Sequence, residues 1–287
     1  MSKHCCSGSN DKNQTKKQKK INYQKNPILV NVTRGGIVES SHTGRICVVD
    51  IQGKIQLAMG EVQEAIYPRS SVKILQALPM ALSGAIEKYN LNAQELSVIC
   101  ASHSGEKHHT EVVENILKKA NLSEKDLECG IHTPTNKRQS YELAKQGIKP
   151  NQLYNNCSGK HAGMLLLAKM RNFDTAGYIN PNHPVQQSIM GIFEMMCEYS
   201  LENAPNDRDG CSVPTWAVPM TNLAFAFAKI SDPLAVLPDE TAKAIIKLRD
   251  SVIQEPFMVA GTNRCCTKVM QVLKNKAFVK YGAEAVY

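Results

Sequence analysis

Hydrophobic and polar positions divide the chain into a few strands, a long helical stretch and a final strand. Four segments alternate as strands do, at residues 28–33, 46–50, 54–58 and 277–281. The second and third of them flank the turn pair Gln52-Gly53 and predict a hairpin. Strands at both ends with helices between them favour an α+β fold, in which an antiparallel sheet carries helices and a helical insertion.

The middle of the chain shows the three-to-four-residue apolar repeat of amphipathic helices. The clearest helix begins near Ser70, and we expect Pro79 and Gly84 to kink or shorten it. Its apolar side carries Leu75, Leu78, Leu82 and Ile86. Further helices are predicted after a cap at Thr110, from His183, and at residues 164–170, 221–230, 239–253 and 267–273.

Residues 1–26 differ in composition from the rest of the chain. They are rich in Ser, Asn and Gln and hold seven lysines against one aspartate, so six of the eight net positive charges lie there. We expect a disordered, lysine-rich tail at residues 1–26 and one folded domain over 27–287. A solvated tail is the simpler interpretation, and a palmitoylated Cys5-Cys6 beside the basic stretch is the alternative. The nearly neutral remainder argues against a nucleic-acid partner.

Composition also narrows the cell compartment and the state of the cysteines. No apolar run approaches the roughly 18 residues of a membrane span, and the polar N-terminal region has no secretory signal. We therefore expect a cytoplasmic protein without a membrane partner. None of the ten cysteines forms a C-x-x-C pattern, which disfavours a zinc ribbon or a redox dithiol. In a reducing compartment most of them should be free thiols.

Ser70 and Lys73 stand three residues apart at the start of the first predicted helix, so they share one helix face. A serine hydroxyl needs a nearby base to become a nucleophile, and a lysine serves if its pKa is lowered. The free N–H groups of a first helical turn would favour an oxyanion there. The spacing alone is weak, because a chance S-x-x-K on a solvated helix face is the simpler interpretation.

Two later elements strengthen the catalytic interpretation. Ser102 lies in a Ser-His-Ser loop, and Lys280 precedes a glycine by two residues on the terminal strand. This order resembles penicillin-recognising serine hydrolases, which carry S-x-x-K, an S-x-N-like loop and K-T-G. Two positions depart from that pattern: Ser104 replaces the asparagine, and Tyr281 replaces threonine or serine.

Seven segments together resemble the Rhizobium-etli-type L-asparaginases, the asparaginase II family with a β-lactamase-like fold. They are residues 33–36 with Glu39 and His42, residues 68–70 with Lys73 and Gln76, and residues 101–106, 156–161, 183–186, 209–211 and 280–284. The resemblance covers roughly residues 27–287. It also implies further strands and a helix after Tyr287, and Ala285 stands where the family has glycine.

The resemblance implies two serine–lysine tandems and a zinc ion. We call Ser70 with Lys73 the first tandem, and Ser102 with Lys280 the second. The zinc ligands carried over are Cys157, Lys160, Asp209 and Cys211, and Arg69, His103 and His161 would bind or support the substrate. Zinc, one per chain, would tune substrate affinity without attacking. Judged by themselves, the two cysteines would be buried structural residues and the two histidines hydrogen-bonding loop residues.

The function implied is hydrolysis of L-asparagine to L-aspartate and ammonia through an acyl-enzyme. Ser70 would attack with Lys73 as the general base, and the second tandem would relay protons or share the nucleophile's role. The family resemblance also implies a homodimer. The alternatives are a related serine amidohydrolase acting on glutamine or a β-lactam, and a truncated, non-catalytic relative that binds zinc.

Overall fold

The computed structural model describes residues 26–274 and 276–287. The chain separates into two compact units: one takes in the chain up to Arg45 together with Met59–Glu61, and the other consists of residues 46–58 and 62–287. The predicted lysine-rich tail lies outside the described residues except for Asn26. All the predicted catalytic, substrate and zinc residues belong to the second unit.

The first unit is built on one β-hairpin. Strands β1 (Ile28–Arg34) and β2 (Ile37–Thr43) pair antiparallel, with two irregularities in their register. Gly35 and Gly36 turn the chain between them and both have positive φ, as tight hairpin turns require. The strand predicted at residues 28–33 and its interruption by these glycines are therefore confirmed.

Six short strands lie among the described residues of the second unit. They are β3 (Ile46–Val49), β4 (Ile55–Met59, whose last residue is grouped with the first unit), β5 (Ala65–Ile66), β6 (Asn206–Arg208), β7 (Pro214–Trp216) and β8 (Val218–Pro219). Strand β3 pairs with β4, β5 with β8, and β6 with β7. Short antiparallel sheets combined with helices confirm the predicted α+β class.

The hairpin predicted around Gln52-Gly53 is present as β3 and β4. The Asp50 carboxylate closes its turn by accepting the backbone N–H groups of Gln52 and Lys54, at 3.0 and 2.9 Å. Aspartate favours turns because its side chain satisfies amides that lie two or more residues further on. Local sequence therefore fixes this hairpin.

Eleven α-helices lie among the described residues of the second unit. They are α1 (Lys73–Leu82), α2 (Ala85–Lys88), α3 (Ala93–Ile99), α4 (Lys107–Lys119), α5 (Lys137–Lys145), α6 (Ser158–Arg171), α7 (Pro184–Cys197), α8 (Met220–Ser231), α9 (Asp239–Gln254), α10 (Pro256–Ala260) and α11 (Cys265–Leu273). The helices predicted at residues 164–170, 221–230, 239–253 and 267–273 are confirmed as parts of α6, α8, α9 and α11. No helix in the described ranges has both the length and the apolar character needed to cross a bilayer.

The helix predicted from His183 is confirmed as α7. The His183 side chain accepts the Val185 N–H group, and Pro184 takes the first helical position. Proline suits that position because it has no N–H group to leave unpaired. At α3, Asn92 and Glu95 form a capping box instead.

Helix α1 runs through the core of the second unit. It packs against α6, α7 and α9, and Ile74, Leu75 and Leu78 are each at most 1% exposed. A helix that is buried on every side belongs in a protein interior. It therefore carries Lys73, its first residue, into that interior. The predicted shortening near Gly84 is confirmed, because α1 ends at Leu82.

Two element predictions are wrong. Thr110 does not cap α4: the helix begins three residues earlier, and the Thr110 hydroxyl donates to the Lys107 carbonyl at 2.8 Å. Residues 277–281 form no strand, because no strand pairs with them within the described residues. The Tyr281 N–H group instead donates to Cys266 Sγ at 3.3 Å. An alternating pattern yields a strand only where a neighbouring backbone completes its hydrogen bonds.

Candidate active site

The residues with candidate chemistry come from five parts of the second unit. These parts are the turn before α1 together with the first residue of α1, the loop after α3, the first turn of α6, the loop between β6 and β7, and the last residues of the chain. Direct side-chain contacts connect them, as described below. The site is therefore assembled by tertiary packing around the buried start of α1.

Ser70 lies in a 3-10 turn, Arg69–Val72, immediately before α1. Arg69 has a φ of 52°, a left-handed conformation that costs energy for a residue with a side chain. Gly282 lies against this turn: a Cβ atom there would stand 3.1 Å from the Ser70 nitrogen and 2.9 Å from the Pro68 carbonyl oxygen. Only glycine permits so close an approach of two backbones.

Lys73 does not bond to Ser70. Its ammonium group is fully buried and donates to the Ala101 carbonyl oxygen at 2.5 Å and to Cys157 Sγ at 3.1 Å. No hydrogen bond joins the Ser70 hydroxyl to another described residue. Ser70 and Lys73 are thus close in sequence but share no direct hydrogen bond.

In the second tandem, Ser102 and Lys280 share a direct hydrogen bond. Lys280 Nζ lies 2.9 Å from Ser102 Oγ and donates to the Tyr281 carbonyl oxygen at 2.7 Å. Both side chains are buried. Burial, assisted by the nearby charge of Lys73, lowers the pKa of Lys280 to about 7. Much of this amine is therefore neutral at physiological pH and able to accept a proton from a hydroxyl group.

Two cysteines and a lysine form a buried cluster beside the first tandem. Lys160 Nζ donates to Cys211 Sγ at 2.9 Å, and the Cys157 thiol donates to the same sulfur. That hydrogen bond from Cys157, together with Lys160, lowers the pKa of Cys211 to about 5 against the opposing effect of burial. The same bond, with burial, raises the pKa of Cys157 to about 12. Cys211 is therefore a thiolate between a thiol and an ammonium group.

Asp209 joins this cluster to the turn that carries Ser70. Its Oδ1 atom accepts Arg69 Nε at 3.0 Å and Arg69 Nη2 at 2.9 Å. Burial alone would raise the pKa of Asp209, but Lys160, the Gly210 amide and Arg69 outweigh it, and the pKa is lowered. The ionised carboxylate thereby holds the strained Arg69 in place.

The predicted zinc ligands lie near one another without forming a cage. Thiolates, an amine and a carboxylate suit Zn²⁺ chemically, but Asp209 Oδ1 is bonded to Arg69 and the Lys160 ammonium group is bonded to Cys211. The pKa of Lys160 is raised because the two sulfurs outweigh its burial. Across the described ranges, no three His, Cys, Asp or Glu side chains converge as metal ligands do. As placed, these residues form a hydrogen-bonded ion-pair cluster.

The two predicted histidines are bonded to structural partners. Gly105 N–H donates to His103 Nδ1 at 3.1 Å, so His103 Nε2 carries the proton and lies 2.9 Å from Ser158 Oγ. Burial lowers the pKa of His103. His161 Nδ1 lies 2.7 Å from Tyr178 Oη. Burial, followed by Lys160, lowers the pKa of His161 to about 3. Both rings are therefore neutral.

Sequence reasoning missed the partners that hold these groups. The Ala101 carbonyl, Tyr178 and Ser158 belong to residue types too common to stand out in a sequence. Gly282 carried a usable signal, because a glycine two residues after a candidate catalytic lysine suggests close backbone approach.

Comparison with known proteins adds one match. The model of the family described as L-asparaginase II matches residues 30–287. No curated protein matches the chain. The match includes every residue of both tandems and the whole cysteine cluster.

Proposed function

Because this chain belongs to the L-asparaginase II family, we propose that it is an amidohydrolase that converts L-asparagine to L-aspartate and ammonia. The observation that supports this best is the second tandem. A buried lysine with a pKa of about 7, bonded to a serine hydroxyl, is the proton acceptor that serine-based amide hydrolysis needs at neutral pH.

In the proposed reaction Ser70 Oγ attacks the carbon of the side-chain amide and forms a tetrahedral intermediate. Backbone N–H groups near the Ser70 turn would stabilise its oxyanion. Lys280 and Ser102 take up the proton that Ser70 releases and return it to the departing nitrogen. The C–N bond breaks, ammonia leaves, and water then hydrolyses the ester to release aspartate and regenerate Ser70.

Lys73 receives a different role from the general base suggested by its spacing. Its hydrogen bonds run to the Ala101 carbonyl and Cys157, so its charge stays beside the site. That charge helps to lower the pKa of Lys280. It would also attract the α-carboxylate of an amino-acid substrate, as Arg69 would.

Zinc binding at Cys157, Lys160, Asp209 and Cys211 stays a prediction, and so does the finer assignment to the Rhizobium-etli type. A zinc ion would require Lys160 to lose its proton and Asp209 to turn from Arg69. When bound, zinc would fix the orientation of a substrate that lies beside it. The homodimer and the cytoplasmic location also stay predictions.

Ammonia release from L-asparagine by the purified chain tests the proposal. D-asparagine, L-glutamine and a chromogenic β-lactam serve as alternative substrates, and Lys280→Met serves as the catalytic control. Release from L-asparagine that depends on Lys280 supports the proposal. Faster turnover of glutamine or the β-lactam would show that L-asparagine is not the preferred substrate. No turnover, from a chain that still melts cooperatively, would favour a non-catalytic relative.

A further inference from the structure

Both members of the second tandem are attached to one corner of the fold. We call it the α10–α11 corner and define it as residues 259–266, which run from the end of α10 to the start of α11. Ser102 N–H donates to the Val259 carbonyl at 3.0 Å on one side of this corner. On the other side, Tyr281 N–H donates to Cys266 Sγ at 3.3 Å. The corner is therefore hydrogen-bonded to Ser102 at one end and to Tyr281, the residue after Lys280, at the other.

Glu106 fastens the Ser102 loop to this corner. Its Oε1 atom accepts the Ser104 hydroxyl at 2.6 Å and the Thr262 N–H group at 2.8 Å. Its Oε2 atom accepts the Thr262 hydroxyl at 2.7 Å. One carboxylate thus satisfies three donors from two segments that are far apart in sequence. Charge-assisted bonds of this kind are the stronger hydrogen bonds in proteins.

Gly261 allows the two segments to meet. It has a φ of 98°, and a Cβ atom there would lie 1.9 Å from Ser104 Oγ and 2.5 Å from Glu106 Oε1. No side chain fits at such distances. The approach of the corner to the Ser102 loop is therefore closer than any other residue would allow.

Arg264 fastens the other end. Its Nη2 atom donates to the Tyr281 hydroxyl, and its guanidinium group lies 5.3 Å from the centre of the Tyr281 ring. Lys280 Nζ lies 5.0 Å from the same ring centre and donates to the Tyr281 carbonyl. Tyr281 is therefore held by Arg264 and Cys266 while it holds the amine of Lys280.

We infer that Glu106 and Arg264 are positioning residues, which set the contact between Ser102 and Lys280 from the two ends of the α10–α11 corner. This inference rests on the proposed function, in which that contact transfers the proton. Neither residue touches the reacting atoms. Glu106 acts through Ser104 and Thr262. Arg264 acts through the side chain of Tyr281, the residue after Lys280. Small displacements of catalytic groups lower rates strongly.

The test compares Glu106→Gln and Arg264→Gln with matched controls. Glu111→Gln removes an exposed carboxylate from α4, the helix that follows Glu106, and Arg138→Gln removes an exposed arginine that pairs with Glu142. We expect each positioning variant to lower kcat for L-asparagine about tenfold with KM within twofold, and each control to match the parent. Arg264→Lys, which keeps a donor for the Tyr281 hydroxyl, should recover part of the loss. Parent-like kcat in both positioning variants would overturn the inference.

A second measurement does not require turnover. Acetic anhydride at fixed pH acetylates exposed neutral amines, and peptide mass spectrometry reports the rate at Lys280 alone. Arg264→Gln should raise that rate at least threefold over the parent and over Arg138→Gln, because Tyr281 no longer covers the amine. An unchanged rate would overturn the inference even if the chain proves to have another substrate. If the rate changes in a chain inactive on asparagine, the positioning role stands and the proposed substrate falls.

Discussion

The two serine–lysine tandems differ in a way that their sequence spacing does not suggest. Ser70 and Lys73 are three residues apart, and no hydrogen bond connects them in the structure. Ser102 and Lys280 are separated by 178 positions and lie in direct contact. Neighbours on a helix face are close, but the direction of each side chain depends on what surrounds it.

The surroundings explain the difference. Ser70 precedes α1 in a 3-10 turn, while Lys73 enters the core and meets a carbonyl group and a thiol there. A buried ammonium group must find acceptors. Lys73 finds them in the Ala101 carbonyl and Cys157 Sγ instead of in the Ser70 hydroxyl. Lys280 also has two partners, the Ser102 hydroxyl and the Tyr281 carbonyl, and its pKa is lowered by burial and by the nearby charge of Lys73. The comparison teaches that the candidate base is the lysine in direct contact with a serine, which spacing along the chain does not reveal.

The largest effect should come from removing the two serines. Ser70→Ala should lower kcat roughly 10⁴-fold or more, since no ester can form. Ser102→Ala should lower it about 10²- to 10⁴-fold, the usual value of acid–base assistance. Acid quench followed by intact mass spectrometry should detect an acyl-enzyme on the parent and Ser102→Ala, and none on Ser70→Ala.

Ser83→Ala is the matched control for both, because its hydroxyl only donates to the Met80 carbonyl at the end of α1. It should keep the parent kcat. An acyl-enzyme that persists in Ser70→Ala and disappears in Ser102→Ala would transfer the nucleophile's role to the second tandem.

The next largest effects should come from replacing the two lysines, which should change the free energy of unfolding in opposite directions. Lys280→Met should lower kcat about 10²- to 10⁴-fold and raise the free energy of unfolding by about 1–3 kcal/mol at pH 6, since a buried, poorly paired charge is removed. Lys73→Met should lower the free energy of unfolding by about 1–3 kcal/mol, because the Ala101 carbonyl loses its charged donor. Urea denaturation measures both.

The gain from Lys280→Met should depend on pH. The folded pKa of Lys280 is about 7 against an ordinary 10.5, so the unfolded chain binds more protons between these values. The cost of burying the charge is therefore complete below pH 7 and disappears as the pH rises towards 10.5. A gain in stability that stays constant from pH 6 to pH 9 would contradict the lowered pKa.

The sequence allowed the fold to be predicted wherever local chemistry decides it. The β3–β4 hairpin, the cap at His183 and the apolar face of α1 were all visible, because turn residues and periodicity act over a few positions. The strand predicted at residues 277–281 is absent, and this could not be foreseen, since strand formation depends on a partner that no local pattern reveals. The helix cap predicted at Thr110 is also wrong, because Glu106 precedes α4 and Thr110 lies one turn inside the helix.

The candidate site was predictable in its members more than in its connections. The residues of both tandems and the cysteine cluster were named from motifs, and the structure connects nearly all of them by side-chain contacts. Which lysine meets which partner could not be predicted, because burial and charge are properties of the assembled core. Lys160 illustrates this, because the predicted metal ligand is an ammonium group that donates a hydrogen bond to Cys211 Sγ.

The pH dependence of catalysis should reflect the second tandem alone. With neutral Lys280 as the proton acceptor, kcat/KM should be half-maximal near pH 7 and fall about tenfold per pH unit below pH 6. Loss at low pH follows because a lysine works as a base only when unprotonated. The profile is measured from ammonia release between pH 5 and pH 9. A flat profile across pH 6–8 would exclude Lys280 as the base.

The smallest effect should come from the cysteine cluster, where the zinc prediction and the observed ion pair differ. If zinc binds, the purified chain should contain about one equivalent, and a chelator should raise KM roughly tenfold with kcat nearly unchanged. Cys211→Ser should lose the metal. Cys197→Ser should keep it, since that buried thiol has its pKa raised to about 12 by burial and lies outside the cluster. If instead the ion pair is the resident state, chelation changes nothing, and iodoacetamide alkylates Cys211 at pH 6 faster than Cys197, because only Cys211 is then a thiolate.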